Sequence, residues 1–145
     1  MYANDFGRLI HGLGCLDYRV VSRAPIALRD PYVVEKIGMI EFQSLTVRAF
    51  KLDLEDKGEN YGQIATYLGT LPQSPHFFTL DDKITFRAGL PVPVSGNTAL
   101  MLAGTRYRPH FRVMGDRSVH YGSFSSGSSG AASAPPPVAA TTGCC

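Results

Sequence analysis

The sequence predicts an α+β fold, with helices and strands grouped apart along the chain. Three observations carry this. Apolar residues recur at the helical period in residues 2–13, where Tyr2, Phe6, Leu9, Ile10 and Leu13 share one face. Strand-like runs then follow one another between residues 42 and 86 with no helical pattern between them. No internal repeat is visible, so separate helices and consecutive strands build one mixed fold.

The elements follow in order. Gly12 and Gly14 close the first helix. Tyr18–Ile26 reads as a strand with Val20 and Val21 inside it, and Pro25 marks its end or a sheet edge. Asp30-Pro31 is a helix start, with Asp as N-cap and Pro in the first turn; Val33, Val34 and Ile37 form its apolar face and Gly38 stops it. Phe42–Leu52 is the best strand signal, with Leu45, Val47 and Ala49 on one face. Asp53–Asn60 is a charged loop and Tyr61–Leu68 a strand ended by Gly69 and Pro72. Phe77–Leu80 and Ile84–Phe86 form a hairpin around Asp81-Asp82. A short extended piece lies between Gly89 and Gly96. Asn97 is the expected N-cap of a last helix, Thr98–Ala103, stopped by Gly104.

Composition sets limits on function. The 145 residues hold 14 Lys and Arg against 12 Asp and Glu, a net charge of +2, which excludes a strongly basic nucleic-acid binder. No apolar run is long enough to span a membrane. Asn4, Asp5, Arg8 and His11 interrupt the start of the chain, unlike a secretory leader. The three cysteines, Cys15, Cys144 and Cys145, make no disulfide framework, so the expected setting is the cytoplasm with reduced thiols. The last charged side chain is Arg117. Residues 118–145 are expected to form a tail of flexible Ser/Gly/Ala/Pro composition.

Few motifs carry chemistry. Gly12-Leu13-Gly14 follows a helix and opens a strand, the reverse of a dinucleotide-binding turn, so it reads as a helix terminator. His11, His76, His110 and His120 lie at no metal-ligand spacing and read as surface or loop residues. The pairs Glu55-Asp56 and Asp81-Asp82 read as solvent-facing turn carboxylates. Cys144-Cys145 is the chemically pointed feature: two adjacent thiols can grip a soft, thiophilic ion as thiolates. About 20 linker residues would give them a reach of roughly 25 Å. An incidental pair at a dispensable end is the competing reading.

Several colinear segments carry a resemblance. They are Tyr61-Gly62-Gln63, Tyr67–Pro72, Phe78–Asp82, Gly96–Leu102, Arg106–Phe111 and Gly115–Gly122, preceded by Tyr2–Phe6 and Phe42–Leu52. Together they resemble the C-terminal part of the arsenite S-adenosylmethionine methyltransferases, over about residues 1–124. Gly143-Cys144-Cys145 is similar to the cysteine-rich tails of many members.

The resemblance implies that residues 1–52 are the closing elements of a class I methyltransferase sheet. Residues 53–117 would be a small appended α+β domain, and residues 118–145 the tail. It implies that the S-adenosylmethionine-binding half precedes Met1, so this chain alone is expected neither to bind that cofactor nor to catalyse. Family thiolates that hold arsenite would fall before Met1 and at positions 40, 58 and 95, which here are Ile40, Gly58 and Ser95. None is a soft donor. Cys15 matches no ligand position and is expected to be a small buried hydrophobe.

Two functions are therefore expected to compete. One is a C-terminal or split piece of a methyltransferase, whose partner is a cofactor-binding half or a second copy of itself. The other is a non-enzymatic metalloid-binding protein that holds trivalent arsenic through Cys144 and Cys145, with a small thiol as third ligand. Neither involves nucleic acid or a membrane.

Overall fold

Helix and strand signals are converted into structure by what each segment can pack against. The structure, a computed structural model, describes residues 2–125. Helix α1 (Ala3–Gly12) presents Phe6 to Tyr18 of strand β1 (Tyr18–Pro25), with ring centroids 5.7 Å apart in an edge-to-face arrangement. Helix α2 (Pro31–Ile37) starts where the sequence places it. The Asp30 carboxylate accepts hydrogen bonds from the Tyr32 and Val33 amides, and Gly38 ends the helix with φ +60°.

Strand β2 (Gln43–Ala49) pairs antiparallel with β1 from Tyr18↔Ala49 to Pro25↔Gln43, with a bulge between Val20 and Ser22. These two strands form a ribbon of their own. A three-stranded antiparallel sheet follows in the order β6 (Pro91–Pro93), β3 (Ile64–Tyr67), β7 (Phe111–Met114). Strands β4 (Phe77–Thr79) and β5 (Thr85–Arg87) make the expected hairpin. Helix α3 (Gly96–Ala103) and a short 3-10 turn (Arg108–His110) complete the described chain.

The core lies among β3, β4, β5, α3 and β7. Period-two alternation in β3 turns Ala65 and Tyr67 inward and leaves Ile64 and Thr66 half-buried. Tyr67, Phe78, Phe86, Tyr107 and Phe111 form one aromatic cluster, and Leu80, Val94, Met101 and Leu102 fill the space around it. The buried Tyr67 hydroxyl donates to the Ser74 carbonyl at 2.6 Å and accepts from the Leu71 amide, so its polar end is satisfied. The loop it fastens needs Gly69 at φ +70°, where a Cβ would lie 2.7 Å from the Pro75 carbonyl oxygen.

Four expectations are corrected. The N-cap of α3 is Ser95, whose hydroxyl accepts from the Thr98 amide. Asn97 is drawn away because its amide instead bonds both the amide and the carbonyl of Glu55. Asp81 is buried: it does hold the β4–β5 turn, accepting from the Lys83 and Ile84 amides, but its other oxygen takes the Arg19 guanidinium. Strand β7 is absent from the sequence reading. Residues 118–125, assigned there to the tail, lie along residues 58–62: Tyr121 donates to the Asn60 carbonyl, Asn60 to that of Gly122, and Phe124 to that of Gly58.

Candidate functional site

The three positions that the resemblance marks for thiolates are divided by the fold. Gly58 and Ser95 meet. A Cβ on Gly58 would lie 3.5 Å from the Ser95 Cβ and 3.7 Å from its Oγ. Ile40 stands in another setting, half-exposed on the rim of an open apolar pocket of about 360 Å³ with Ile26, Leu28, Val34, Ile37 and Phe42.

The corner at Gly58 and Ser95 is built from three pieces. The first is the start of α3, where Ser95, Asn97 and Thr98 are all buried. The second is the loop 55–62, tied to α3 through the Glu55–Asn97 bonds and through the Gly96 amide, which donates to the Glu59 carbonyl at 2.9 Å. Gly96 is required here, because a Cβ would sit 2.8 Å from the Tyr61 ring. The third is the segment 115–125. It lays Arg117 over the Tyr61 ring, stacks His120 beside it and pairs His120 with Glu59 at 2.9 Å.

The local electrostatics are mixed. Tyr61 donates to the Glu55 carboxylate at 2.6 Å, and this bond holds the phenol above its usual pKa. Arg117 stands 3.7 Å from the same carboxylate. Glu55 Oε2 has no hydrogen-bond partner among the described residues. The corner thus offers a hydroxyl, a carboxylate oxygen and backbone groups, all hard donors poorly matched to a thiophilic ion.

A neighbouring polar network fixes the ribbon. Arg19 of β1 bonds Asp17 at 2.8 Å, Asp81 at 3.0 Å and Thr98 Oγ1 at 3.0 Å. Arg48 of β2 stands directly across from it in the register. Two like charges in such a pair repel unless each is separately compensated. Arg48 is, donating to the Thr79 and Leu80 carbonyls with its guanidinium over the Phe78 ring. The sequence reading missed this clamp; the signal for it was an arginine beside inward-facing apolar residues in each strand, Arg19 before Val20 and Val21 and Arg48 after Val47.

The remaining candidates fall as follows. Cys15 is buried and unpaired in any disulfide, the small-hydrophobe role read from the sequence. Gly12 and Gly14 terminate α1, and no strand leads through them into a helix, so they are no cofactor turn. His11, His76 and His120 are exposed, and His110 bonds Thr70 at 2.7 Å. No group of three potential metal ligands occurs among the described residues. No helix among them is long and apolar enough to cross a membrane. Cys144 and Cys145 lie outside the described residues.

Comparison with known proteins supports the resemblance drawn from the sequence. No protein-family model matches the chain. The whole chain is 42% identical, over 147 aligned positions, to an arsenite methyltransferase of Aquipseudomonas alcaligenes. It also superposes on the crystal structure of CrArsM, an arsenic(III) S-adenosylmethionine methyltransferase from Chlamydomonas reinhardtii. That match has a TM-score of 0.82 and 41% identity over 86% of the chain. The chain spans 42% of the length of each relative, which is consistent with a C-terminal portion.

Proposed function

We propose that this chain, homologous over its whole length to part of an arsenite methyltransferase, is the C-terminal portion of such an enzyme. In this reading it works only with a cofactor-binding half, in the cytoplasm. The observation that carries the reading is whole-chain identity of 42% to a relative of which only 42% is covered. The β1–β2 ribbon, α1 and α2 then stand as closing elements of a class I methyltransferase sheet, and residues 53–117 as a small domain appended to it.

The residues present do not fit S-adenosylmethionine. The described strand-to-helix step that carries a glycine, β6 to Gly96 at the start of α3, is closed by the Tyr61 ring and by the Gly96 amide's bond to the Glu59 carbonyl, and Gly12–Gly14 ends a helix instead. The methyl donor would therefore be held by the other half. Arsenite is the substrate, and what this chain contributes is position: a rigid corner around Gly58 and Ser95, and a ribbon clamped to it through Arg19. Cys144 and Cys145 are the remaining soft donors for trivalent arsenic in this chain. Their support is the chemistry of two adjacent thiols, which suits a soft ion.

The test is reconstitution. The purified chain is mixed with the unmatched remainder of the Aquipseudomonas alcaligenes enzyme, and methylated arsenic is measured after incubation with arsenite, a thiol and S-adenosylmethionine. Methylation only in the mixture is the expected result. Methylation by this chain alone, or none in a mixture that co-purifies as a complex, overturns the reading.

A further inference from the structure

We propose that the groove between the bulge of β1 and the segment 71–79 is a binding site for a small aromatic carboxylate, with the Arg48 guanidinium as its anion-binding group. The proposal does not rest on the arsenic chemistry. The groove is open and measures about 530 Å³, within the size range of small-molecule sites. Val21, Leu71, Pro75, Phe77 and Phe78 give it apolar walls, Arg48 lines it, and no acidic residue does. Phe77 is 55% exposed, a large ring left in water at the wall. The facing wall is rigid. The Tyr67 hydroxyl bonds both the Leu71 amide and the Ser74 carbonyl, and the Ser74 amide donates to the Leu71 carbonyl at 3.0 Å. A preformed wall spares a ligand the cost of ordering it.

The charge of Arg48 is the second observation. The two arginines that oppose each other in the ribbon are compensated differently. Arg19 has the carboxylates of Asp17 and Asp81. Arg48 is half-buried and has carbonyl dipoles and a ring face, but no counter-charge among the described residues. Both of its hydrogen bonds leave from Nη1, to the Thr79 and Leu80 carbonyls. Its Nε and Nη2 make none among the described residues, and they form the edge of a guanidinium that takes a carboxylate through two parallel bonds. An aromatic body on that carboxylate covers the apolar walls and meets the Phe77 ring, which a bare inorganic anion would not. The groove lies on the ribbon face of Arg19 and Arg48, turned to the hairpin. Tyr18, whose ring meets α1, is on the opposite face, as strand alternation requires. Every wall is thus this chain's own.

The experiment titrates naphthoate into the full chain and reads amide chemical shifts by NMR. A saturable response centred on residues 21, 48 and 71–79 is expected. Replacing Arg48 would also free the ribbon, so the charge is tested through the ligand: naphthamide, the neutral form of the same ring system, is expected to bind at least about tenfold more weakly. Gln73 is exposed at the groove, and Gln73→Glu supplies a carboxylate that competes for Arg48. It is expected to weaken naphthoate at least about threefold with an unchanged fold. Binding is expected to persist when the unmatched remainder of the Aquipseudomonas alcaligenes enzyme is added. No saturable response, a response centred elsewhere, equal binding of naphthamide, or undiminished binding by Gln73→Glu overturns the proposal. So does loss of binding on adding the other half, which would then occupy the groove itself. Failure of the reconstitution assay leaves these readouts untouched.

Discussion

In residues 2–52 the large apolar side chains are left in the open. Leu9, Leu13, Tyr32, Met39 and Ile40 are each half or more exposed, and Cys15 and Phe50 are the buried hydrophobics of that stretch. Residues 53–125 also leave Phe77, Leu90, Met114 and Tyr121 half or more exposed, but they bury Tyr67, Leu80, Phe86, Met101 and Leu102 fully in one cluster. The contrast is not one of local signal, since α1 has a cleaner amphipathic stripe than α3. It is one of partners. Strand β3 has neighbours on both edges and α3 on its face, whereas the ribbon has one neighbouring strand per strand and little above it. A two-stranded ribbon is marginal by itself, and here the Arg19 and Arg48 clamp ties it to the packed part. Amphipathic elements without cover are what a portion of a larger enzyme would show where the rest of that enzyme packs.

The comparison makes the packed region the sensitive one. Phe86→Ala, which empties a fully buried site packed against Phe111, is expected to cost about 3–5 kcal/mol, read from denaturant unfolding. Next comes the clamp. Arg19→Ala strands the buried Asp81 carboxylate and is expected to cost about 3 kcal/mol. It should also release the ribbon, so limited proteolysis would cut residues 2–52 first and leave the remainder intact.

A gain of function sharpens the contrast at the corner. Gly58→Cys with Ser95→Cys places two Cβ atoms within chelating reach. In a background lacking the tail cysteines, arsenite affinity under reducing conditions is expected to rise at least about tenfold, or ~1.4 kcal/mol, by calorimetry. Leu45→Ala, by contrast, removes a side chain that is already partly in water. A loss of at most about 0.5–1 kcal/mol is expected in the same unfolding assay.

The smallest effect is at Tyr61. Its phenol is held above 10.0 mainly by the hydrogen bond to Glu55. That contribution is full below the unfolded pKa and is lost as pH rises through the folded one. Melting curves of the parent should therefore fall more steeply than those of Tyr61→Phe above about pH 10.

The sequence made much of this legible. Alternation and period placed α1, α2, β1, β2 and the β4–β5 hairpin, because each carries its own pattern and punctuation. Strand β7 was invisible because Arg108-Pro109-His110 precedes it and only Phe111 and Val113 face inward, too short a run to stand out. The N-cap of α3 went to the wrong residue because Ser95 and Asn97 are both good caps, and the choice is made by Glu55, 42 residues away. The strap at 118–125 was hidden because its backbone bonds to Gly58 and Asn60 leave no side-chain signature, and its His120–Glu59 pair joins residues 61 apart. The meeting of Gly58 and Ser95 was likewise a matter of tertiary contact.

Amide hydrogen exchange of the chain, alone and mixed with the unmatched remainder of the Aquipseudomonas alcaligenes enzyme, tests the central claim most directly. For the chain alone the expected result is fast exchange through α1, α2 and residues 26–42, against slow exchange in β3, α3 and β7. Adding the other half should slow the first set and leave the second unchanged. Equal protection of both regions in the chain alone, or no slowing of residues 2–52 on mixing, would contradict the account.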